Sequence, residues 1–256
     1  MAISDLRNPA ISQPAAESRL LEDARRRLIV ALDVPDAASA VNLLDRLENI
    51  CHWFKVGLEL FIAAGPSVLE PILARGHSVF LDLKLHDIPN TVAGGIRSAA
   101  SLGVRMLTVH AAGGPAMLNA AQDALGGLTN PLQLLAVSVL TSMDAPQLSA
   151  TGIERSPAEQ VSVLAGMALS SGIRGFVCSP QEVSMMRGLT GPEGVLVIPG
   201  IRPAGAAIGD QKRVASPADA LRAGASYLVV GRPITHAANP AAAATGILNE
   251  MASALR

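Results

Sequence analysis

Residues 78–91 read SVFLDLKLHDIPNT, a stretch that joins an apolar strand to a charged turn and the start of a helix. Successive side chains on a strand point to opposite faces, so Asp82 and Lys84 share one face. The opposite face is apolar and takes Leu81, Leu83 and Leu85. Pro89 closes the turn and suits the first turn of the following helix. The stretch therefore predicts a strand–turn–helix unit whose strand ends in charged side chains.

The same pattern recurs along the chain. Short apolar runs rich in strand-forming residues predict eight strands, at 28–32, 53–56, 78–83, 105–109, 134–139, 175–178, 195–198 and 227–230. Helical periodicity between them predicts helices that include 38–47, 92–102, 157–171 and 217–223. Apolar strands separated by helices indicate a parallel sheet covered by helices, and eight units in 256 residues match a single-domain α/β protein, a (β/α)8 TIM barrel. A doubly wound sheet is the alternative, but no G-x-G-x-x-G follows the first strand.

Composition narrows the class of partner. The net charge is -1, and aromatic residues make up 2% of the chain, which argues against a nucleic-acid-binding surface. Half of the residues are apolar and 16% are charged, so the chain has ample material for a core. Cys51 and Cys178 lie in apolar segments without C-x-x-C spacing and are expected to be buried, reduced thiols.

The first 27 residues are polar and interrupted by proline, with no apolar run long enough for a signal peptide or a membrane span. We expect an N-terminal extension over 1–27, a barrel domain over 28–256, no membrane partner and a cytoplasmic location. The five histidines are scattered, without His-x-x-x-His or a Cys/His cluster, so no metal site is expected.

Charged residues fall at the carboxyl ends of the first three strands, where barrels of this kind carry their chemistry. Asp33 ends the first strand, Lys55 lies in the second, and Asp82 and Lys84 end the third. Buried charges need partners, and alternating Asp and Lys side chains would pair with zero net charge. Two bland interpretations remain open: a solvated ion pair on a surface strand, and a self-neutralising network that plugs the barrel.

The opposite side of the mouth has the features of an anion site. PGIRP at 199–203, with Arg202, follows the seventh strand, and GRP at 231–233 follows the eighth. Loops after strands seven and eight are a frequent phosphate site in this fold. Gly231 allows close approach of backbone N–H groups, Arg232 offers a two-pronged donor, and Gln211 could add a neutral donor. An ordinary exposed arginine is the alternative for Arg232.

The order of the motifs is similar to that of the orotidine 5'-monophosphate decarboxylase family. The resemblance runs from 28 to 238 through ALD at 31–33, FKVG at 54–57, DLKLHDIPNT at 82–91, LTS at 140–142, PGIRP at 199–203, DQKR at 210–213 and VVGRPI at 229–234. The ten-residue element is highly specific. No departure occurs at the catalytic positions, although the extension before residue 28 is longer than the family needs.

The resemblance implies a cofactor-free decarboxylation of orotidine 5'-monophosphate to UMP in pyrimidine biosynthesis. Catalysis would fall to Lys84 as proton donor, Asp82 beside the substrate carboxylate, Lys55 as orienting cation and Asp87 as the last charge. Asp33 would bind ribose hydroxyls, and Thr141 the pyrimidine edge. The implied substrate-binding set also contains Leu83, Leu85, His86, Ile88, Pro89, Asn90, Thr91, Arg202, Gln211, Gly231 and Arg232. A homodimer is implied too, in which Asp87 and Thr91 reach the neighbouring subunit's site.

Two other functions compete with this hypothesis. A metal-dependent sugar-phosphate decarboxylase or aldolase of the same barrel superfamily shares the D-x-K-x-x-D element but has a Glu at the position of Lys55. A cation there would repel a metal ion instead of binding it. A non-catalytic nucleotide-binding module would have no need of Lys84.

Overall fold

The computed structural model describes residues 13–203 and 213–256. Within them the strands are β1 Leu28–Ala31, β2 Trp53–Gly57, β3 Ser78–Leu85, β4 Met106–His110, β5 Gln133–Val137, β6 Gly175–Val177, β7 Val195–Ile198 and β8 Tyr227–Val230. They are parallel and follow one another in sequence order, and β1 also pairs with β8, which closes the barrel. All eight predicted strands and the (β/α)8 fold are confirmed.

Helices surround the barrel. In the described ranges they are α1 Gln13–Arg27, α2 Ala37–Leu47, α3 Leu58–Ala64, α4 Glu70–Ala74, α5 Pro89–Ser101, α6 Gly114–Asp123, α7 Ala145–Ser149, α8 Pro157–Ser170, α9 Val183–Thr190, α10 Pro217–Arg222, α11 Arg232–Thr235 and α12 Pro240–Ala254. Short 3-10 turns lie at Pro66–Leu69, Ala111–Gly113 and Pro180–Glu182. The four helices predicted from periodicity are α2, α5, α8 and α10. Pro89 occupies the first turn of α5, as the sequence predicted.

Side-chain alternation sorts the core into two layers. The inner layer fills the barrel with Ile29, Ala31, Phe80, Met106, Leu135, Val197 and Val229. The outer layer is larger and lies between the strands and the helices, and Leu81, Leu83 and Leu85 belong to it. Because Phe80 points inward, the same period of two brings Asp82 and Lys84 to the inner face at the carboxyl end. The packing of this strand thus places its charges in the mouth.

The segment before β1 contains a helix that sequence reasoning did not anticipate. Residues 13–27 form α1, which packs against α12, and Ala24 of α1 is fully buried in the outer core. Its charged residues form ion pairs one turn apart, such as Arg27 with Asp23 at 3.0 Å. In the described ranges no helix has the length and apolar character that crossing a membrane requires.

Candidate active site

An alternating chain of charges spans the ends of β1, β2 and β3. Lys55 Nζ lies 2.9 Å from Asp33 Oδ1 and 3.7 Å from Asp82 Oδ2. Lys84 Nζ lies 2.9 Å from Asp82 Oδ1. The order is therefore Asp33, Lys55, Asp82, Lys84, as predicted, and each neighbour in this charge array has the opposite sign. The Lys55 side chain is 11% exposed and that of Lys84 is 32% exposed, so Lys84 is the more accessible cation.

Lys84 is held in an unusual backbone conformation. Its φ is 50°, in the left-handed region that residues other than glycine seldom adopt. The pairing of β3 with β4 also shifts here: Leu81 pairs with Leu107 and Leu85 with Val109, so β3 has two more residues than β4 over this interval. A bulge of this kind re-aims side chains. Because the excess is an even number, Leu85 returns to the outer face and Lys84 stays inside.

Gly57 makes room for the ammonium group of Lys55. A Cβ atom at this position would lie 2.9 Å from Lys55 Nζ and 3.5 Å from Asp33 Oδ1, closer to the nitrogen than real Cβ atoms come. A larger residue would therefore require the Lys55 ammonium to shift. Sequence reasoning gave Gly57 no role, although its place two residues after Lys55 on the same strand face pointed to one.

Two arginines lie at the mouth after the last two strands. Arg202 follows β7 and Arg232 follows β8, and both line the cavity described below. Burial, and then the nearby positive charge of Arg232, hold the pKa of Arg202 below its usual value. Two guanidinium groups close enough to oppose each other's charge form a site where an anion would be stabilised by both.

The charge array and the arginines enclose a cavity of about 490 Å³ at the carboxyl mouth. Eight predicted site residues line it: Asp33, Lys55, Asp82, Lys84, Thr141, Arg202, Gly231 and Arg232. Its floor is apolar, with Ala31, Phe80, Val137, Val177 and Val229. This volume falls within the usual range for small-molecule sites, and the combination of an apolar floor with converging charges is typical of them.

The other predicted site residues lie elsewhere. Leu83 and Leu85 do not line the cavity, because strand alternation packs them against the outer core. His86 is exposed and stacks on His110, with ring centroids 5.3 Å apart. Asp87, Ile88, Asn90 and Thr91 are exposed, Pro89 is partly buried, and none of them borders the cavity of this single chain. Gln211 lies outside the described residues.

Several residues of the mouth were missed. Cys178 lines the cavity, and so do Glu59 and His236. Thr108 of β4 is fully buried directly behind Asp82. The signal for Thr108 was present, since a lone hydroxyl inside an apolar strand at the level of Asp82 needs a polar partner.

Cys51 and Cys178 are both buried and free, as expected. The described residues contain no group of three or more His, Cys, Asp and Glu side chains arranged for a metal ion.

A closed parallel barrel with paired charges at its carboxyl mouth is an enzyme architecture. The cavity, lined by both the charge array and two arginines, defines a barrel enzyme for an anionic small molecule.

Comparison with known proteins identifies the family. A family model described as orotidine 5'-phosphate decarboxylase / HUMPS matches residues 26–247, and the chain belongs to that family. An orotidine 5'-phosphate decarboxylase of Moorella thermoacetica is 53% identical over 234 residues, covering 89% of this chain and 93% of the relative. One from Halorhodospira halophila is also 53% identical, covering 89% and 97%. The crystal structure of the Lactobacillus acidophilus decarboxylase matches with a TM-score of 0.77 at 40% identity, over 88% of this chain and 98% of that one.

Proposed function

We propose that this protein decarboxylates orotidine 5'-monophosphate to UMP and CO2, without a cofactor, as a step of pyrimidine synthesis. The observation that carries the proposal is the charge array Asp33–Lys55–Asp82–Lys84 at a cavity mouth in a chain that is 53% identical to decarboxylases of that name. The enzyme is a carboxy-lyase.

The reaction needs stabilisation of a carbanion. Loss of CO2 from C6 of the pyrimidine leaves an electron pair that the ring does not delocalise, so a fixed positive charge must stabilise it. The Lys84 ammonium is the accessible cation of the array, and its proton passes to C6. Asp82 orients that ammonium at 2.9 Å and faces the substrate carboxylate. Lys55 neutralises both aspartates and keeps the array paired.

The phosphate of the substrate is assigned to Arg202, Gly231 and Arg232. These residues follow β7 and β8, and β8 pairs with β1, so the phosphate lies at the Asp33 end of the charge array, with β1 and β2 between it and Lys84 of β3. Binding energy from such a remote group can be used to hold the pyrimidine against Lys84. Thr141 lines the wall after β5 and is assigned to the polar edge of the pyrimidine.

The working form is a homodimer with shared sites. Asp87 is exposed on the turn after β3 and accepts a hydrogen bond from Ile88 N at 2.6 Å, outside its own cavity. Two large apolar side chains after these strands are exposed: Ile88 of this turn is 67% exposed, and Ile62 of α3, the helix after the neighbouring strand β2, is 77% exposed. Such side chains favour association. A twofold partner would cover them and bring its own Asp87 and Thr91 to this site.

The metal-dependent barrel relative is the second candidate. It needs a carboxylate where this chain has Lys55, whose ammonium lies 2.9 Å from Asp33 and would repel a divalent cation. The position of Lys55 favours the metal-independent reaction.

The test is a direct assay. Purified protein is added to orotidine 5'-monophosphate, and the loss of orotidylate absorbance is followed with and without prior dialysis against EDTA. We expect turnover that EDTA leaves unchanged. No turnover would refute the decarboxylase, and turnover lost with EDTA and restored by Mg²⁺ would favour the metal-dependent relative.

A further inference from the structure

We propose that Thr108 is a positioning residue for the reaction: its buried hydroxyl fixes the backbone of Lys84 and the carboxylate of Asp82 at the same time. The inference rests on the proposed decarboxylation and adds a residue that does not itself touch the substrate. Thr108 lies in the middle of β4, is fully buried and does not line the cavity.

The hydroxyl takes part in two hydrogen bonds of forced direction. Thr108 Oγ1 accepts a hydrogen bond from Lys84 N at 2.8 Å and donates one to Asp82 Oδ1 at 3.0 Å. A backbone N–H can donate only and a carboxylate can accept only, so the single hydroxyl proton must point at Asp82. The hydroxyl therefore has one stable orientation.

These bonds close a ring on Lys84. Asp82 Oδ1 accepts the hydrogen bond of the Thr108 hydroxyl and also one from the Lys84 ammonium at 2.9 Å. The ring runs from Lys84 N through Thr108 and Asp82 back to Lys84 Nζ. One carboxylate oxygen of Asp82 thus holds the Lys84 ammonium directly and the Lys84 backbone through Thr108.

The bulge explains why a side chain is needed here. Between Leu81 and Leu85 the β3–β4 register is broken, and Lys84 has a left-handed φ of 50°. The Lys84 N–H finds the Thr108 hydroxyl as its acceptor in this interval. A buried N–H without an acceptor is costly, and a freed backbone would let the ammonium shift from its place. A misplacement of about 1 Å at a reacting group is enough to lower the rate substantially.

The experiment compares Thr108→Val with Thr108→Ser and with a matched control. Thr108→Val keeps the shape and removes the hydroxyl, whereas Thr108→Ser keeps the hydroxyl. Thr190→Val makes the same chemical change at another buried threonine, whose hydroxyl bonds Met186 O at 2.9 Å in α9, away from the charge array. For each protein we measure kcat and KM for orotidine 5'-monophosphate, the Kd of UMP and the melting temperature.

The expected result separates positioning from folding. Thr108→Val should lower kcat by about 10- to 100-fold, the scale of one hydrogen bond to a charged group. KM and the Kd of UMP should change by no more than about twofold, since the cavity lining is unchanged. Thr108→Ser should restore most of kcat, and Thr190→Val should retain it.

Other outcomes overturn the proposal. They are an unchanged kcat in Thr108→Val, an equal loss in Thr190→Val, or a loss confined to KM. If Thr108→Val does not fold, Thr108→Ala replaces it, and failure of both makes Thr108 a structural residue. Absence of turnover in the wild type would instead refute the decarboxylase, so the two failures are distinguishable.

Discussion

At the scale of single residues, the proposed reaction depends most on Lys84. It is the accessible cation of the charge array and lies 2.9 Å from Asp82. Lys84→Ala should fold, because the lysine side chain lines the cavity and makes no core contact. Alanine must adopt the same left-handed backbone conformation that lysine already adopts here. The kcat of Lys84→Ala should be at least about a hundredfold lower than that of the wild type, since one positioned acid contributes roughly 10²–10⁴-fold.

The check is steady-state turnover, with circular dichroism to confirm the fold. Lys84→Arg is a useful companion, because it keeps the positive charge but a guanidinium does not release its proton. It should also be nearly inactive. Activity of Lys84→Ala close to that of the wild type would show that another group donates the proton.

Substitution of Arg232 tests the proposed phosphate site. Arg232→Ala should weaken binding of orotidine 5'-monophosphate by about 1.5–3 kcal/mol, as for other hydrogen bonds to charged groups. Orotidine, which lacks the phosphate, should be a poor substrate that this change hardly affects. The measurement is kcat/KM for both substrates.

The control for Arg232 is Arg222→Ala. Arg222 is also close to a short helix end, but its side chain is 63% exposed and pairs with Asp219 on the surface. Arg222→Ala should leave kcat/KM for both substrates unchanged. A similar loss for nucleotide and nucleoside in Arg232→Ala would mean that Arg232 supports the fold and not the phosphate.

Residue types at strand ends explain why much of the site was predictable. A buried charge at the end of an apolar strand needs a partner, so sequence spacing singled out Asp33, Lys55, Asp82 and Lys84. Thr108 and Gly57 were not, because one hydroxyl or one glycine in a strand has many ordinary explanations. Spacing placed Thr108 at the level of Asp82 and Gly57 on the face of Lys55, but the contacts that give them a role become visible only in the folded structure.

At the scale of elements, the strands were predictable and the bulge was not. Apolar runs of four to six residues predict where β1 to β8 lie, since a parallel sheet covered by helices buries both faces of such runs. The two additional residues of β3 opposite β4 leave the alternation of side chains intact and so give no signal in the pattern. The α1 helix was missed for a different reason. Its ion pairs and its packing on α12 stabilise a sequence in which polar residues outnumber apolar ones.

Arg213 joins the loops after β5 and β6. It is 9% exposed and forms an ion pair with Glu182, which is 4% exposed in the 3-10 turn after β6. It also donates to Leu140 O at 2.9 Å and to Thr141 O at 3.4 Å, in the loop that carries one cavity wall. Arg213→Met should lower the free energy of unfolding by about 3–5 kcal/mol, because it leaves a buried carboxylate unpaired. Urea denaturation measures the loss.

The control is the double variant Arg213→Met with Glu182→Gln. Glu182 Oε2 accepts the hydrogen bond of Ser179 N at 2.8 Å, and the amide oxygen of glutamine can keep that bond. With no buried charge left, the double variant should recover most of the lost stability. If it is as unstable as Arg213→Met, the hydrogen bonds to the β5 loop, and not the ion pair, hold these elements together.

At the scale of the whole molecule, part of the element at 82–91 lies outside the cavity of its own barrel. The element at 82–91 begins inside the mouth with Asp82 and Lys84 and ends on the surface with Asp87 and Thr91. The sequence alone predicts that these ten residues act together. The barrel geometry separates them, since the strand ends before the turn. In the proposed homodimer, a second subunit would let both halves of the element serve one site.

Mixed dimers test this arrangement. Lys84→Ala and Asp87→Ala should each be nearly inactive as separate proteins. In a mixed dimer, one site receives both lesions, while the other receives Lys84 from one chain and Asp87 from its partner and is intact. Random mixing makes about half of the dimers mixed, so about a quarter of all sites should recover, as twofold symmetry requires. The measurement is turnover after the two variants are unfolded and refolded together, compared with each refolded alone.

Exchange of subunits must be shown independently. Two affinity tags of different kinds, one on each variant, allow the mixed dimer to be isolated by successive purification on both tags. The isolated species should have about half of the wild-type activity per dimer, because one of its two sites is intact. A matched pair, Lys84→Ala mixed with Lys55→Ala, should recover nothing, since both residues belong to the same chain's charge array. If the doubly tagged Lys84→Ala/Asp87→Ala dimer is as inactive as its parents, Asp87 acts within its own subunit and the shared site is wrong.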